Sequence, residues 1–252
     1  MTLIINTLVY EKEVQAGTKQ LDLVDRIAKL GADGIELRRE YFKNVDQEIN
    51  EIAPAIKKAG LIVNYSVPDT IFDDKGNFNT GLGKYYQEAK KLGAQKIKFS
   101  TGNFYKYRGD LADDLAPLPL SDIQTTIEND QTPIGGNPDT VYDFLTVTRK
   151  AGFNSLSSTL DLGNLAFTGF DPNLSAKKLA PFVSYIHLKN PMLTPDGKMQ
   201  NTESLDRGMF NWRSVMQYLP KDAQCAFEFT MPNDQAIKEE MKKFHAFFNN
   251  QR

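Results

Sequence analysis

Residues 125–130 read TTIEND, a short run of β-formers that ends on a glutamate, Glu128, before a turn-like Asn129-Asp130. The same local phrase, one ionisable or amide residue between two apolar or aromatic ones, recurs as IEL at Glu36, VNY at Asn64, IKF at Lys98, LDL at Asp161, IHL at His187 and FEF at Glu228. In a strand, successive side chains point to opposite faces. Each triplet therefore describes a strand that buries its flanking residues under one layer and turns its central polar group the other way.

Working outward, the β-rich runs lie near Leu3–Val9, Gly34–Leu37, Ile62–Val67, Lys96–Ser100, Thr125–Glu128, Ser158–Leu162, Val183–Leu188 and Ala223–Phe229, and segments with apolar residues three and four apart separate them. KLGA ends two of these segments, at Lys29–Ala32 and Lys91–Ala94, and KKAG and RKAG end two more, at Lys57–Gly60 and Arg149–Gly152. A basic last turn suits the helix dipole, and a glycine just beyond it accepts the left-handed cap. The segment within Gly109–Ile123 is expected to be short, because Pro117 and Pro119 interrupt it. About eight βα units in 252 residues predict a closed (β/α)8 barrel as a single domain over residues 1–252. An open doubly wound sheet would carry a glycine-rich loop after its first strand, and VYEKEVQAGTKQ has one glycine. Gly135-Gly136 reads as a loop hinge.

Composition narrows the function classes. A net charge of −2 gives no global electrostatic case for nucleic acid. No apolar run approaches the roughly 20 residues that span a bilayer. The single cysteine, Cys225, has no partner for an internal disulfide, and MTLIINTLVY lacks the basic and apolar pattern of a secretory leader, so the expected location is cytoplasmic. Cys225 shares the helix-facing phase of Phe227 and reads as core filler; His245 reads as helix surface.

In a barrel the triplets turn Glu36, Lys98, Glu128, Asp161, His187 and Glu228 toward the interior. Burying such charges uncompensated costs several kcal/mol each. Glu128, Asp161, His187 and Glu228, from four consecutive strands, offset that cost if they share one divalent cation. Lys98 and Lys189, the latter two residues beyond His187, balance the remaining charge, and an ion pair between Glu36 and Lys98 is expected.

GIEL at Gly34–Leu37, TIEND at Thr126–Asp130, TLDLGN at Thr159–Asn164, YIHLKN at Tyr185–Asn190 and AFEF at Ala226–Phe229, in that order along nearly the whole chain, resemble the xylose isomerase-like barrels. That family includes sugar and sugar-phosphate isomerases and epimerases, dehydratases, and apurinic-site endonucleases. The resemblance implies a metal held by Glu128, Asp161, His187 and Glu228, with Glu128 and Glu228 also transferring the proton. It further implies a small sugar-like substrate and is compatible with a homo-oligomer. Two departures stand out: Asn164 lies where relatives commonly carry a histidine, and Asn190 where they commonly carry an aspartate. With His187 and His245 the only histidines, the histidine-rich trinuclear site of the endonucleases cannot be assembled.

The function expected is a divalent-metal-dependent isomerase or epimerase of a small sugar or sugar phosphate. Its metal would be Mn, Mg, Co or Zn, which mixed oxygen and nitrogen ligation accommodates. Glu36, Lys98, Lys189 and Arg207 are the candidate substrate contacts. The alternatives are a dehydratase on the same scaffold and a non-catalytic sugar-binding barrel.

Overall fold

The computed structural model describes residues 1–249. Eight parallel strands close on themselves: β1 (Leu3–Asn6), β2 (Gly34–Arg38), β3 (Ile62–Phe72), β4 (Lys96–Gly102), β5 (Gln124–Glu128), β6 (Ser157–Asp161), β7 (Val183–Leu188) and, after a two-stranded hairpin of β8 (Pro191–Leu193) and β9 (Met199–Asn201), β10 (Gln224–Phe227). Around the barrel the order is β1-β10-β7-β6-β5-β4-β3-β2, so β10 joins β1 and no edge is left open.

The long helices follow the expected periodicity: α2 (Gln20–Leu30), α3 (Val45–Ala59), α4 (Gly83–Leu92), α6 (Pro138–Lys150) and α10 (Asp234–Asn249), with α1 (Glu11–Gln15), α5 (Leu111–Leu115), α7 (Leu162–Phe167), α8 (Pro172–Leu179) and α9 (Trp212–Met216) shorter. At both KLGA sites the glycine, Gly31 and Gly93, adopts the left-handed cap conformation with φ of 86° and 70°. α5 stops before Pro117. None of the described helices is long and apolar enough to cross a membrane.

Side chains partition as the triplets require. Leu3, Ile5, Ile35, Leu37, Ile97, Phe99, Ile127, Leu160, Ile186, Leu188, Cys225, Phe227 and Phe229 join one continuous apolar layer between strands and helices. The barrel interior is largely polar; Ile4, Tyr185 and Ala226 form a small separate apolar cluster within it. Below them, Lys96 bonds Gln124 and Ser184, Gln124 bonds Ser157, and Asn64 bonds Gln224, lining the barrel's foot with amides, hydroxyls and one ammonium.

Several boundaries differ from the sequence expectation: β3 runs on to Phe72 instead of ending at Val67, and β4 to Gly102 instead of Ser100. β1 ends at Asn6 rather than Val9, because the Asn6 side chain accepts the Leu8 amide and caps a 3-10 turn over Thr7–Tyr10. The hairpin β8–β9 was not expected: each strand is only three residues long, and Pro191 opens the first.

Candidate metal and proton-transfer site

All four expected ligands stand at the C-terminal ends of their strands, where barrels of this architecture carry their chemistry. Glu128 and Asp161 are the last residues of β5 and β6, His187 is the penultimate residue of β7, and Glu228 follows β10 directly. One donor atom from each lies within 4.8 Å of the others, and all four residues are buried. His187 Nδ1 faces the cluster, 2.7 Å from Glu128, 3.2 Å from Glu228 and 3.8 Å from Asp161.

Each carboxylate has its own basic partner. Lys98 Nζ lies 2.7 Å from Glu128 Oε2, Lys189 Nζ 2.7 Å from Asp161 Oδ2 and 3.1 Å from Glu228, and Arg38 Nη1 donates to Glu228 Oε1 at 2.8 Å. Lys189 reaches its place because residue 163 is glycine: a Cβ there would stand 2.3 Å from the Lys189 Cγ. Lys98 therefore pairs with Glu128 and not, as expected, with Glu36.

Glu36, expected among the substrate contacts, is wholly buried and engaged by side chains of the barrel itself. Its carboxylate accepts from Asn6 Nδ2 and Tyr185 OH, both at 2.8 Å, and lies 3.0 Å from His187 Nε2. The group braces the imidazole from behind, away from the nitrogen that faces Glu128, Glu228 and Asp161. Arg207 is exposed on the segment after the hairpin. It has no ion pair among the described residues and stays a candidate for an anionic group arriving from solvent.

Electrostatics separate the carboxyls. Burial raises a carboxyl pKa, but Lys98 and His187 override it and hold Glu128 down at about 2. At Glu228, burial is likewise overcome by His187, Lys189 and Arg38, and the pKa falls well below the usual range. Asp161 goes the other way: burial, reinforced by Glu228 and Glu128 against the pull of Lys189, pushes it up to about 8. Burial disfavours the His187 imidazolium, yet Glu228 and Glu36 outweigh it and raise its pKa well above the ordinary value.

The donors suit a divalent ion. Asp161 Oδ1 accepts the Asn164 amide and caps α7, while Oδ2, fully buried, has no partner in hydrogen-bond geometry despite the nearby Lys189. Three carboxylates and one imidazole nitrogen are a mixed O/N donor set of the kind that accommodates Mn, Mg, Co or Zn.

The two residues that depart from the resemblance have structural work. Asn164 donates to the Asn129 carbonyl and accepts from Gln131, tying two loops at the barrel's mouth. Asn190 donates to the carbonyls of Leu205 and Phe210, both at 2.7 Å, and so fastens the long segment after the hairpin.

Sequence reading missed Asn6, Arg38 and Tyr185. The signal was present: Arg38 lies two residues past Glu36 and Tyr185 two before His187, each in the inward phase. Cys225 is fully buried, and His245 is exposed beside Phe244, as expected.

A closed (β/α)8 barrel with acids and a histidine at its C-terminal mouth defines a class. The chain belongs to the xylose isomerase-like TIM barrel family, whose model matches residues 24–249. No curated protein matches it in sequence. Among solved structures, it resembles the probable 3-DHS dehydratase AsbF involved in petrobactin synthesis from Bacillus anthracis, with a TM-score of 0.71 and 17% identity over 97% of this chain and 99% of that one. It also resembles an L-ribulose 3-epimerase (TM-score 0.69, 14% identity, 98% and 94% covered) and the IolI protein with a bound zinc atom (0.66, 12%, 98% and 98%). At these identities the likeness establishes the fold.

Proposed function

We propose that the protein is a divalent-metal-dependent isomerase or epimerase of a small polyhydroxylated carbonyl compound. The observation that carries this reading is the pair of buried, ionised glutamates, Glu128 and Glu228, converging with Asp161 on one histidine nitrogen. Glu128, Asp161, His187 and Glu228 would hold the ion. When bound, it polarises a substrate carbonyl or hydroxyl and acidifies the adjacent C–H.

One glutamate takes the proton from that carbon and the other returns it. They stand three strands apart around the barrel, on β5 and just past β10, and so approach a substrate from different sides. Lys98 makes Glu128 a poor base while it stays beside it. Turning the ammonium onto a substrate oxygen removes the nearest counter-charge, raises the basicity of Glu128 and stabilises the developing enediolate. Lys189, already between Asp161 and Glu228, is placed to hold a second oxygen.

Lys189 also favours a second reading. An ammonium beside the proton-abstracting glutamate can protonate a departing hydroxyl, which turns the same deprotonation into a dehydration. The likeness to both an epimerase and a dehydratase is consistent with either outcome.

The test is incubation of the Mn2+-loaded protein with ketoses and their epimers in D2O. Isomerisation or epimerisation predicts deuterium at the carbon next to the carbonyl, and dehydration predicts an absorbing enone or a deoxy-keto product. Neither signal with any of the four metals would refute the proposal.

A further inference from the structure

The acids of the cluster are matched by cations to within one charge before any metal binds. Four buried carboxylates, Glu36, Glu128, Asp161 and Glu228, face three permanent cations, Arg38, Lys98 and Lys189. A neutral imidazole and a divalent ion leave the loaded interior with one excess positive charge, in a place where Lys98 and Lys189 are each only 6% exposed. An uncompensated charge so buried is costly; in the unliganded chain Glu40, on the outer edge of Arg38, supplies the matching anion, and whatever displaces Glu40 has to bring that charge with it.

Arg38 shows where it would sit. Its guanidinium bridges interior and rim. Nη1 points inward to Glu228, while Nε and Nη2 point outward and share one oxygen of Glu40, at 2.7 and 2.6 Å. Glu228 is buried, whereas the Glu40 side chain is 30% exposed and belongs to the short 3-10 turn Arg39–Tyr41 that follows β2. The outer edge of a guanidinium is a carboxylate-binding fork. Glu40 thus occupies that fork with a carboxylate of the protein's own, one that can swing into solvent.

We propose that the substrate is a monoanionic sugar acid or related polyhydroxylated carboxylate, whose carboxylate displaces Glu40 from the outer edge of Arg38. One excess positive charge fits a carboxylate better than a phosphate monoester, which carries about −1.5 to −2 at neutral pH. The inference rests on the metal-centred reading above, but binding tests it without turnover.

Calorimetric titration of the Mn2+-loaded protein would use matched probes: quinate against methyl quinate, D-galacturonate against D-galactose, and D-galactose 6-phosphate. At least one acid should bind about ten- to a hundredfold tighter than its neutral partner, the value of a charge-assisted pair, and tighter than the phosphate. Arg38→Met should abolish that preference. Glu40→Gln, at the solvent-facing rim where folding is not at stake, should bind the acid more tightly, because the competing carboxylate is gone.

The proposal is overturned if neutral or phosphorylated probes bind as well as the acids, if no acid binds at millimolar concentration, or if Glu40→Gln leaves acid affinity unchanged or weaker. Acid preference without any deuterium exchange would sink the isomerase reading alone. Exchange into neutral sugars without acid preference would sink this inference alone.

Discussion

Replacing Glu36 by glutamine should weaken metal binding although Glu36 never touches the metal position. In the wild-type chain the Glu36 carboxylate lies 3.0 Å from His187 Nε2 and is itself oriented by Asn6 and Tyr185. A carboxylate there fixes the ring proton on Nε2 and leaves Nδ1, which faces Glu128, Asp161 and Glu228, with its lone pair free. Glutamine has nearly the same shape and keeps an oxygen for Asn6 and Tyr185, but it loses the charge. It can also turn its amide N–H toward Nε2 and so favour the tautomer that carries the proton on Nδ1. Loss of such a supporting partner typically costs ten- to a hundredfold in metal affinity, about 1.4–2.7 kcal/mol. Competition for Mn2+ or Zn2+ against a chromophoric chelator measures it, with circular dichroism to confirm the fold. Tyr185→Phe, which removes one donor to Glu36 and no charge, should give a smaller loss in the same direction. Unchanged metal affinity in Glu36→Gln would refute the brace and leave Glu36 a buried charge with no role in the site.

Glu128→Gln should fold normally and lose about 10²- to 10⁴-fold in turnover, the range of a proton-transfer group; circular dichroism beside the deuterium assay checks both. His187→Ala should lower metal content in elemental analysis while His245→Ala, at the helix surface, leaves it unchanged; equal content in the two would show that His187 is not a ligand. Gly163→Ala should drive the Lys189 side chain off Asp161, lowering turnover more than thermal stability, and a variant with wild-type kinetics would show that Lys189 is dispensable. At the barrel's foot, burial pushes Lys96 down from 10.5 to about 8. The folded chain then binds fewer protons than the unfolded one between those values, so this group makes stability rise with pH across that window, and its cost is fully present below pH 8. Lys96→Met should therefore be more stable than wild type at pH 7, by on the order of 2 kcal/mol, with the difference in denaturant midpoints shrinking toward pH 10.5; a pH-independent difference would contradict this.

The eight barrel strands and the inward phase of their polar residues were legible because a strand's period of two is imposed by covalent geometry and survives any tertiary arrangement. Pairing was not legible. Lys98 and Glu36 belong to strands separated by β3, and which inward groups meet depends on the stagger of the strands around the barrel, which no local pattern encodes. The same holds for Asn6, Tyr185 and Arg38: each had the right phase, but its partner lies on another strand. The hairpin after β7 was hidden for a different reason, since three-residue strands that open on a proline resemble a loop. Asn164 and Asn190 look in sequence like losses from an active site, whereas their amides bond loop carbonyls that the sequence does not place nearby.

The barrel's apolar layer and its reactive interior share almost no side chains: one lies outside the strands, and the other is built from amides, hydroxyls and charges. Adhesion between strands and helices is therefore supplied by residues of one parity, and recognition by residues of the other. A descendant of this chain can exchange Lys98, Arg38 or Lys189 for another polar residue without disturbing Ile97, Leu37 or Leu188, which hold the walls up. Natural selection thus has two nearly independent alphabets written on the same eight strands, and new substrates can be explored in one while the other keeps the protein folded.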